Sequence, residues 1–87
     1  MEDVYVNLST PSIVQKFVKT ITKLEGEFEL ISGKYILDAR SLMGIFSMDI
    51  TKPIHLRVYN GSDENMTALN PYLARNPAQN NLRGATV

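Results

Sequence analysis

Apolar and polar residues alternate at the start of the chain. Val4, Val6 and Leu8 share one face, with Tyr5 and Asn7 between them. A period of two predicts a short strand with one buried side over Val4–Leu8. The period then changes. Ile13, Val14, Phe17, Val18, Ile21 and Leu24 recur at helical spacing, while Gln15, Lys16, Lys19, Thr20 and Lys23 fall mostly on the other face. The preceding Ser9-Thr10-Pro11-Ser12 has the chemistry of a helix start. Ser9 or Thr10 can cap free amides, and Pro11 suits the first helical position because it has no N–H to satisfy. Gly26 stands just past the helix, where a left-handed residue is least costly.

Alternation returns at Glu27-Phe28-Glu29-Leu30-Ile31, and Tyr35-Ile36-Leu37-Asp38-Ala39 follows as a second strand. The intervening Ser32-Gly33-Lys34 predicts a hairpin. Ser41 to Met48 is apolar at mixed spacing and broken by Gly44, which suggests one or two helical turns and then a loop. Pro53 to Tyr59 is the cleanest strand, with Ile54, Leu56 and Val58 on one face and His55, Arg57 and Tyr59 on the other. Asn60-Gly61-Ser62 turns into a last helix capped by Ser62, with Met66, Leu69 and Leu73 turned to the core. Pro71 shortens or kinks that helix, since proline past the first turn removes a hydrogen bond and clashes with the turn before it.

The predicted order is β-α-β-β-(short α)-β-α. Alternating strand faces imply an antiparallel sheet of four strands with helices on one side, an open-faced α+β sandwich. The expected domain spans residues 1–74. Residues 75–87, rich in Asn, Pro, Gly and Ala, are expected to form a poorly ordered tail.

Composition narrows the chemistry. The chain of 87 residues suits one domain, and nine basic residues against nine acidic ones favour neither nucleic acid nor an anionic membrane. Without cysteine there is no disulfide, thiolate nucleophile or cysteine-based zinc site. The acidic Met1-Glu2-Asp3-Val4 lacks the apolar region of a signal peptide, and no apolar run is long enough to span a bilayer. A cytoplasmic location is therefore expected. No nucleophile–base pair, carboxylate cluster, phosphate loop or metal spacing is visible, so no catalytic residue, metal or cofactor is assigned and no enzyme is expected. His55 lies mid-strand with no second histidine to build a metal cluster. A surface imidazole beside Arg57 and Tyr59 is the simpler reading.

Arg40-Ser41-Leu42-Met43-Gly44-Ile45-Phe46-Ser47-Met48 resembles the Lys-Ser-Ile/Leu-Met-Gly-Val-Met-Ser-Leu signature of the histidine-containing phosphocarrier proteins, the HPr family. Lys16-Phe17-Val18-Lys19, Glu27-Phe28-Glu29-Leu30 and Ser32-Gly33-Lys34 resemble that family's first helix, second strand and hairpin. The likeness covers roughly Val4 to Leu73 and implies the HPr-like fold. It also implies a phosphate-carrying histidine, with a nearby arginine, on the loop entering the first helix. Aligned through Phe17-Val18-Lys19, this chain has Thr10 at the histidine position and Ser12 at the arginine position.

The resemblance therefore implies a link to the phosphoenolpyruvate-dependent sugar phosphotransferase system without the histidine carrier itself. A phosphothreonine is a stable ester and cannot replace phosphohistidine as a reversible donor. In the family's regulatory branch, the serine matching Ser41 is phosphorylated by a dedicated kinase and the product binds a transcriptional regulator. Ser41 is accordingly the candidate for regulatory phosphorylation, although it could serve only as a helix cap. Thr10, Ser12, Lys16, Ser41, Met43, Phe46 and Met48 are the candidate docking residues, with Met43 and Met48 expected to be the more exposed. Lys16, Lys19 and Lys23 could steer an acidic partner or simply face water. The expected partner is a protein: an enzyme I-like component, a serine kinase or a transcriptional regulator. The alternative is an active sugar-transport phosphocarrier with a non-histidine acceptor near Thr10.

Overall fold

A computed structural model describes residues 1–75. Strand β1 (Glu2–Val6) leads to helix α1 (Pro11–Thr22), the hairpin β2 (Glu27–Ser32) and β3 (Tyr35–Asp38), and the short helix α2 (Leu42–Phe46). Strand β4 (Ile54–Tyr59) and helix α3 (Asp63–Leu69) follow. A 3-10 turn (Asn70–Tyr72) and a two-residue strand, β5 (Leu73–Ala74), complete the described chain. The expected tail, apart from Arg75, lies outside the described residues.

Among the described residues the sheet has five strands in the order β3-β2-β4-β1-β5, all neighbours antiparallel. This corrects the expectation of four. Pro71 is the physical reason. It stops α3 from continuing, the chain turns through Asn70–Tyr72, and Leu73 and Ala74 then pair with Val6 and Tyr5. The Asn7 N–H also donates to the Tyr72 carbonyl at 2.7 Å. Leu73 is consequently 38% exposed at the sheet edge, where a core position was expected. Tyr72 packs inward instead, its ring edge-on to Phe17 at 5.4 Å.

Other boundaries move by a residue or two, β3 ending at Asp38 and β4 beginning at Ile54. β1 begins at Glu2 and ends at Val6, while Leu8 keeps its buried position beyond the strand. α1 ends at Thr22, with Lys23 as its C-cap, and Leu24 packs against the core from outside the helix.

One continuous core lies between sheet and helices. Val6, Leu30, Leu56 and Val58 meet Phe17 and Ile21 there, all fully buried. The alternation in β4 is as the sequence predicts: Ile54, Leu56 and Val58 are buried, and His55, Arg57 and Tyr59 are half-exposed on the opposite face. Gly26 closes the turn after α1 at φ +105°, where a Cβ would lie 2.7 Å from the Tyr59 carbonyl oxygen. Glycine is required there on both counts. Among the described residues no helix is long and apolar enough to cross a membrane.

Candidate functional site

Ser41 is the N-cap of α2. Its backbone is extended (φ −85°, ψ 97°), and its Oγ accepts the Gly44 N–H at 3.2 Å. A serine hydroxyl suits this position because it satisfies an amide that has no partner one turn earlier. The Ser41 N–H donates to the Asp38 carbonyl at 2.9 Å, and the Arg40 N–H donates to Asp38 Oδ1 at 2.9 Å. The end of β3 thus sets where α2 begins. Gly44 leaves room for the cap, since a Cβ there would stand 3.0 Å from Ser41 Oγ. Ser47 closes the other end, its hydroxyl donating to the Gly44 carbonyl at 2.6 Å.

The apolar residues of this segment divide between core and solvent. Ile45 is fully buried, and Leu42, Met48 and Ile50 pack against the core. Met43 is 82% exposed and Phe46 41%. The expectation for Met48 is therefore corrected. Its N–H still donates to the Ile45 carbonyl at 3.0 Å, so the chain remains close to the core there and the side chain is half-covered. Phe46 takes the place expected of Met48 in the exposed pair. Met43 and Phe46, three positions apart, share one face of α2, and Ser41 precedes them as its cap. No acidic residue occupies the first turn of α2. A shallow groove next to Met48 is lined by Ser32, Tyr35, Leu37, Ser47 and Asp49.

Arg40 fixes this segment against α1. Its Nη2 reaches the carbonyls of Ile21, Leu24 and Gly26 at 3.3, 3.0 and 3.1 Å, and its guanidinium lies 5.0 Å from the centre of the Phe28 ring. These carbonyls lie at and beyond the end of α1, where a cation is favoured by the helix dipole. Sequence reasoning read Arg40 only as part of a motif. The available signal was a cation placed directly after a hairpin that follows a helix.

Thr10 caps the opposite end of α1. Its Oγ1 accepts the Ile13 N–H at 3.3 Å, and Pro11 occupies the first turn. Ser9, just before it, has φ +36°. Thr10, Ser12 and Lys16 are all exposed. α1 packs on α2, so the expected docking residues share one helical layer. Within it Arg40 ties the approach to Ser41 to the C-terminal end of α1, whereas Thr10 and Ser12 mark its N-terminal end.

His55 lies on the other side of the sheet. Its Nε2 is 2.8 Å from Asp3 Oδ1, the same oxygen that accepts from Arg57 Nε at 2.9 Å, and its ring stacks on Tyr5 at 5.3 Å. Arg57 and then His55 hold the Asp3 carboxyl below the usual aspartate range, and Asp3 followed by Tyr59 raises Arg57. Asp49 is lowered as well, by the Thr51 hydroxyl and N–H. Asp3 and Tyr5 were not foreseen as partners of His55. They face Arg57 and His55 directly across the ladder, a pairing that depends on register. Among the described residues no group of three or more His, Asp or Glu side chains is arranged to hold a metal ion.

The fold resembles that of a solved protein. The crystal structure of HPr-C-His from Thermoanaerobacter tengcongensis superposes with a TM-score of 0.66 at 22% identity, covering 82% of this chain and 89% of that one. The likeness establishes an HPr-like α+β fold. No protein-family model matches the sequence, and no curated protein matches it.

Proposed function

We propose that this chain is an HPr-like regulatory or protein-binding module, related to the phosphoenolpyruvate-dependent sugar phosphotransferase system but not itself a histidine phosphocarrier or an enzyme. Its docking surface is built on α2. The observation that carries the reading is the exposure of Met43 and Phe46 beside an exposed, helix-capping Ser41. Flexible methionine and a planar ring make an adaptable contact for a protein partner, and exposed apolar side chains grouped together favour docking. The partner is an enzyme I-like component, a serine kinase or a transcriptional regulator, met in the cytoplasm. Thr10, Ser12 and Lys16 extend the contact along α1.

Phosphorylation of Ser41 is the proposed switch. The γ-phosphoryl group of ATP passes to Ser41 Oγ, the hydroxyl proton leaves, and ADP is released. The product adds about two negative charges at the start of α2, where they favour the helix and offer oxygens to a partner's arginines.

Two labelling experiments test the reading. The protein is incubated with a serine kinase of phosphocarrier regulation and ATP, beside Ser41→Ala. Label is expected on the parent only; equal labelling of both removes Ser41 as the switch. The protein is separately incubated with phosphoenolpyruvate and enzyme I. No acid-labile phosphate is expected, and its appearance overturns the non-carrier reading.

A further inference from the structure

The edge of the sheet at β3 presents backbone groups that the α2 segment uses only at Asp38. Among the described residues β3 has a neighbour on one side only, with Leu30 opposite Leu37, Ile31 opposite Ile36 and Glu29 opposite Asp38. Opposed residues in an antiparallel ladder alternate between pairs that exchange both backbone hydrogen bonds and pairs that exchange none. The Ala39 N–H donates to the Phe28 carbonyl at 2.8 Å. That bond places Leu30–Leu37 in the bonded class and Ile31–Ile36 in the other. The backbone N–H and C=O of Ile36 therefore point away from the sheet, as does the N–H of Asp38. The Asp38 carbonyl is already taken by Ser41.

Side chains give this edge a charge and a shape. Ile36, 60% exposed, stands beside Ile31 on the face away from the helices. The next rung carries Asp38 and Glu29, and Glu27 lies one rung further along β2. Arg57, across from Glu29, is bonded to Asp3 on its far side. Among the described residues, the Asp3–Arg57 ion pair and the Asp3–His55 hydrogen bond use none of Glu27, Glu29 or Asp38, and Asp38 Oδ1 accepts only the Arg40 N–H. An aliphatic rung next to carboxylates, beside a row of unpaired backbone groups, selects both backbone and charge.

We propose that the β3 edge binds an extended, basic segment of a protein partner as an added strand. An aliphatic residue of the segment lies beside Ile36, and a lysine or arginine two positions along lies beside Asp38 and Glu29. The spacing follows from the two-residue period of a strand, and strand addition to an open edge is a general mode of peptide binding. A second copy of β3 fits less well. It would place a further set of the same carboxylates on the joined face, and its Lys34 sits in the hairpin turn rather than on the strand. The surface adjoins the Ser41 segment at Asp38, which accepts from Ser41 and Arg40, but peptide binding and kinase labelling are read separately, so either can fail without the other.

The test is a titration of the 15N-labelled full chain with a short peptide of alternating valine and lysine. The largest amide shifts are expected at Ile36 and Asp38, with slowed hydrogen exchange at Ile36. Affinity should weaken about tenfold between roughly 0.05 and 0.5 M salt, as charge pairing at a surface is screened. Glu29→Lys should weaken it by a similar factor. Ile36→Pro should abolish it, since proline lacks the outward N–H yet is tolerated on an edge. If that variant does not fold, Glu29→Lys decides. Any of four results overturns the proposal: no shifts, shifts centred on residues 41–48, equal binding of a peptide with glutamate in place of lysine, or concentration-dependent shifts at Ile36 without peptide.

Discussion

Asn65 is the one polar side chain found buried among the described residues, 3% exposed. Its Nδ2 donates to the Glu25 carbonyl at 2.6 Å, and its own N–H donates to Ser62 Oγ at 3.3 Å. One residue thus joins the start of α3 to the turn after α1. Asn65→Ala removes this bond, whose acceptor belongs to the exposed Glu25. The expected loss is about 0.5–1.5 kcal/mol, the net contribution of a typical hydrogen bond, read by urea denaturation. Nothing in its residue type separates it from the exposed Asn60 or Asn70; only its place four residues before the buried Leu69 hinted at an inward position. Ser41 was legible, because a serine three residues before a glycine in a short apolar run has cap chemistry. Ser41→Ala should cost about 1 kcal/mol as a lost N-cap, so its failure in a docking assay is interpretable only beside a measured stability. A thermal melt unchanged from the parent would mean that the cap contributes nothing.

The contact between α1 and α2 depends on Arg40 at the scale of elements. α2 has only five residues, too few to persist as a helix alone, and its position is imposed by neighbours. Asp38 holds its start and Ile45 fills the core beneath it, while Arg40 reaches across to the end of α1. Arg40→Ala should cost roughly 1.5–3 kcal/mol, the range for hydrogen bonds to a charged donor. Arg40→Lys should recover only part of this, because an ammonium keeps the charge but not the planar fork or its stacking on Phe28. Full recovery in denaturant titrations would show that charge alone suffices. Helix α1 was legible in full outline because its apolar stripe and its Thr10-Pro11 start agree. The end of α3 was not: Pro71 announced a break, but β5 exists only because β1 offered an unpaired edge.

Across the whole molecule, β1 is held between β4 on one side and β5, the end of the described chain, on the other. Asp3 sits at the β1–β4 seam with Arg57 opposite and His55 on the next rung. A carboxyl lowered by folding contributes stability that is complete above its unfolded pKa and is lost as pH falls through its folded pKa. Asp3, lowered chiefly by Arg57, has this sign. Asp3→Asn should therefore be less stable than the parent at neutral pH. The gap should close as pH falls through the acid side of about 4, the ordinary aspartate range. Urea midpoints measured across pH check this; a gap that stays constant into acid would assign the effect to packing. The open face that carries Asp3 is also the face of the proposed β3 docking edge, on the far side of the sheet from Ser41.

The element order as far as α3 followed from the sequence alone, since hydrophobic periods of two and 3.6 are local properties and the caps at Thr10, Ser41 and Ser62 agree with them. The HPr-like resemblance was visible for the same reason: its motif is a contiguous stretch that places a cap, a glycine and a buried isoleucine in fixed spacing. Which strands are neighbours was decided only in three dimensions. Whether Met48 or Phe46 is covered depends on the bend of the chain after Gly44 and on what lies below it. The reach of Arg40 to α1, the meeting of Asp3 with His55, and the addition of β5 join residues far apart in sequence. Such contacts depend on register and packing, which no short window of sequence contains.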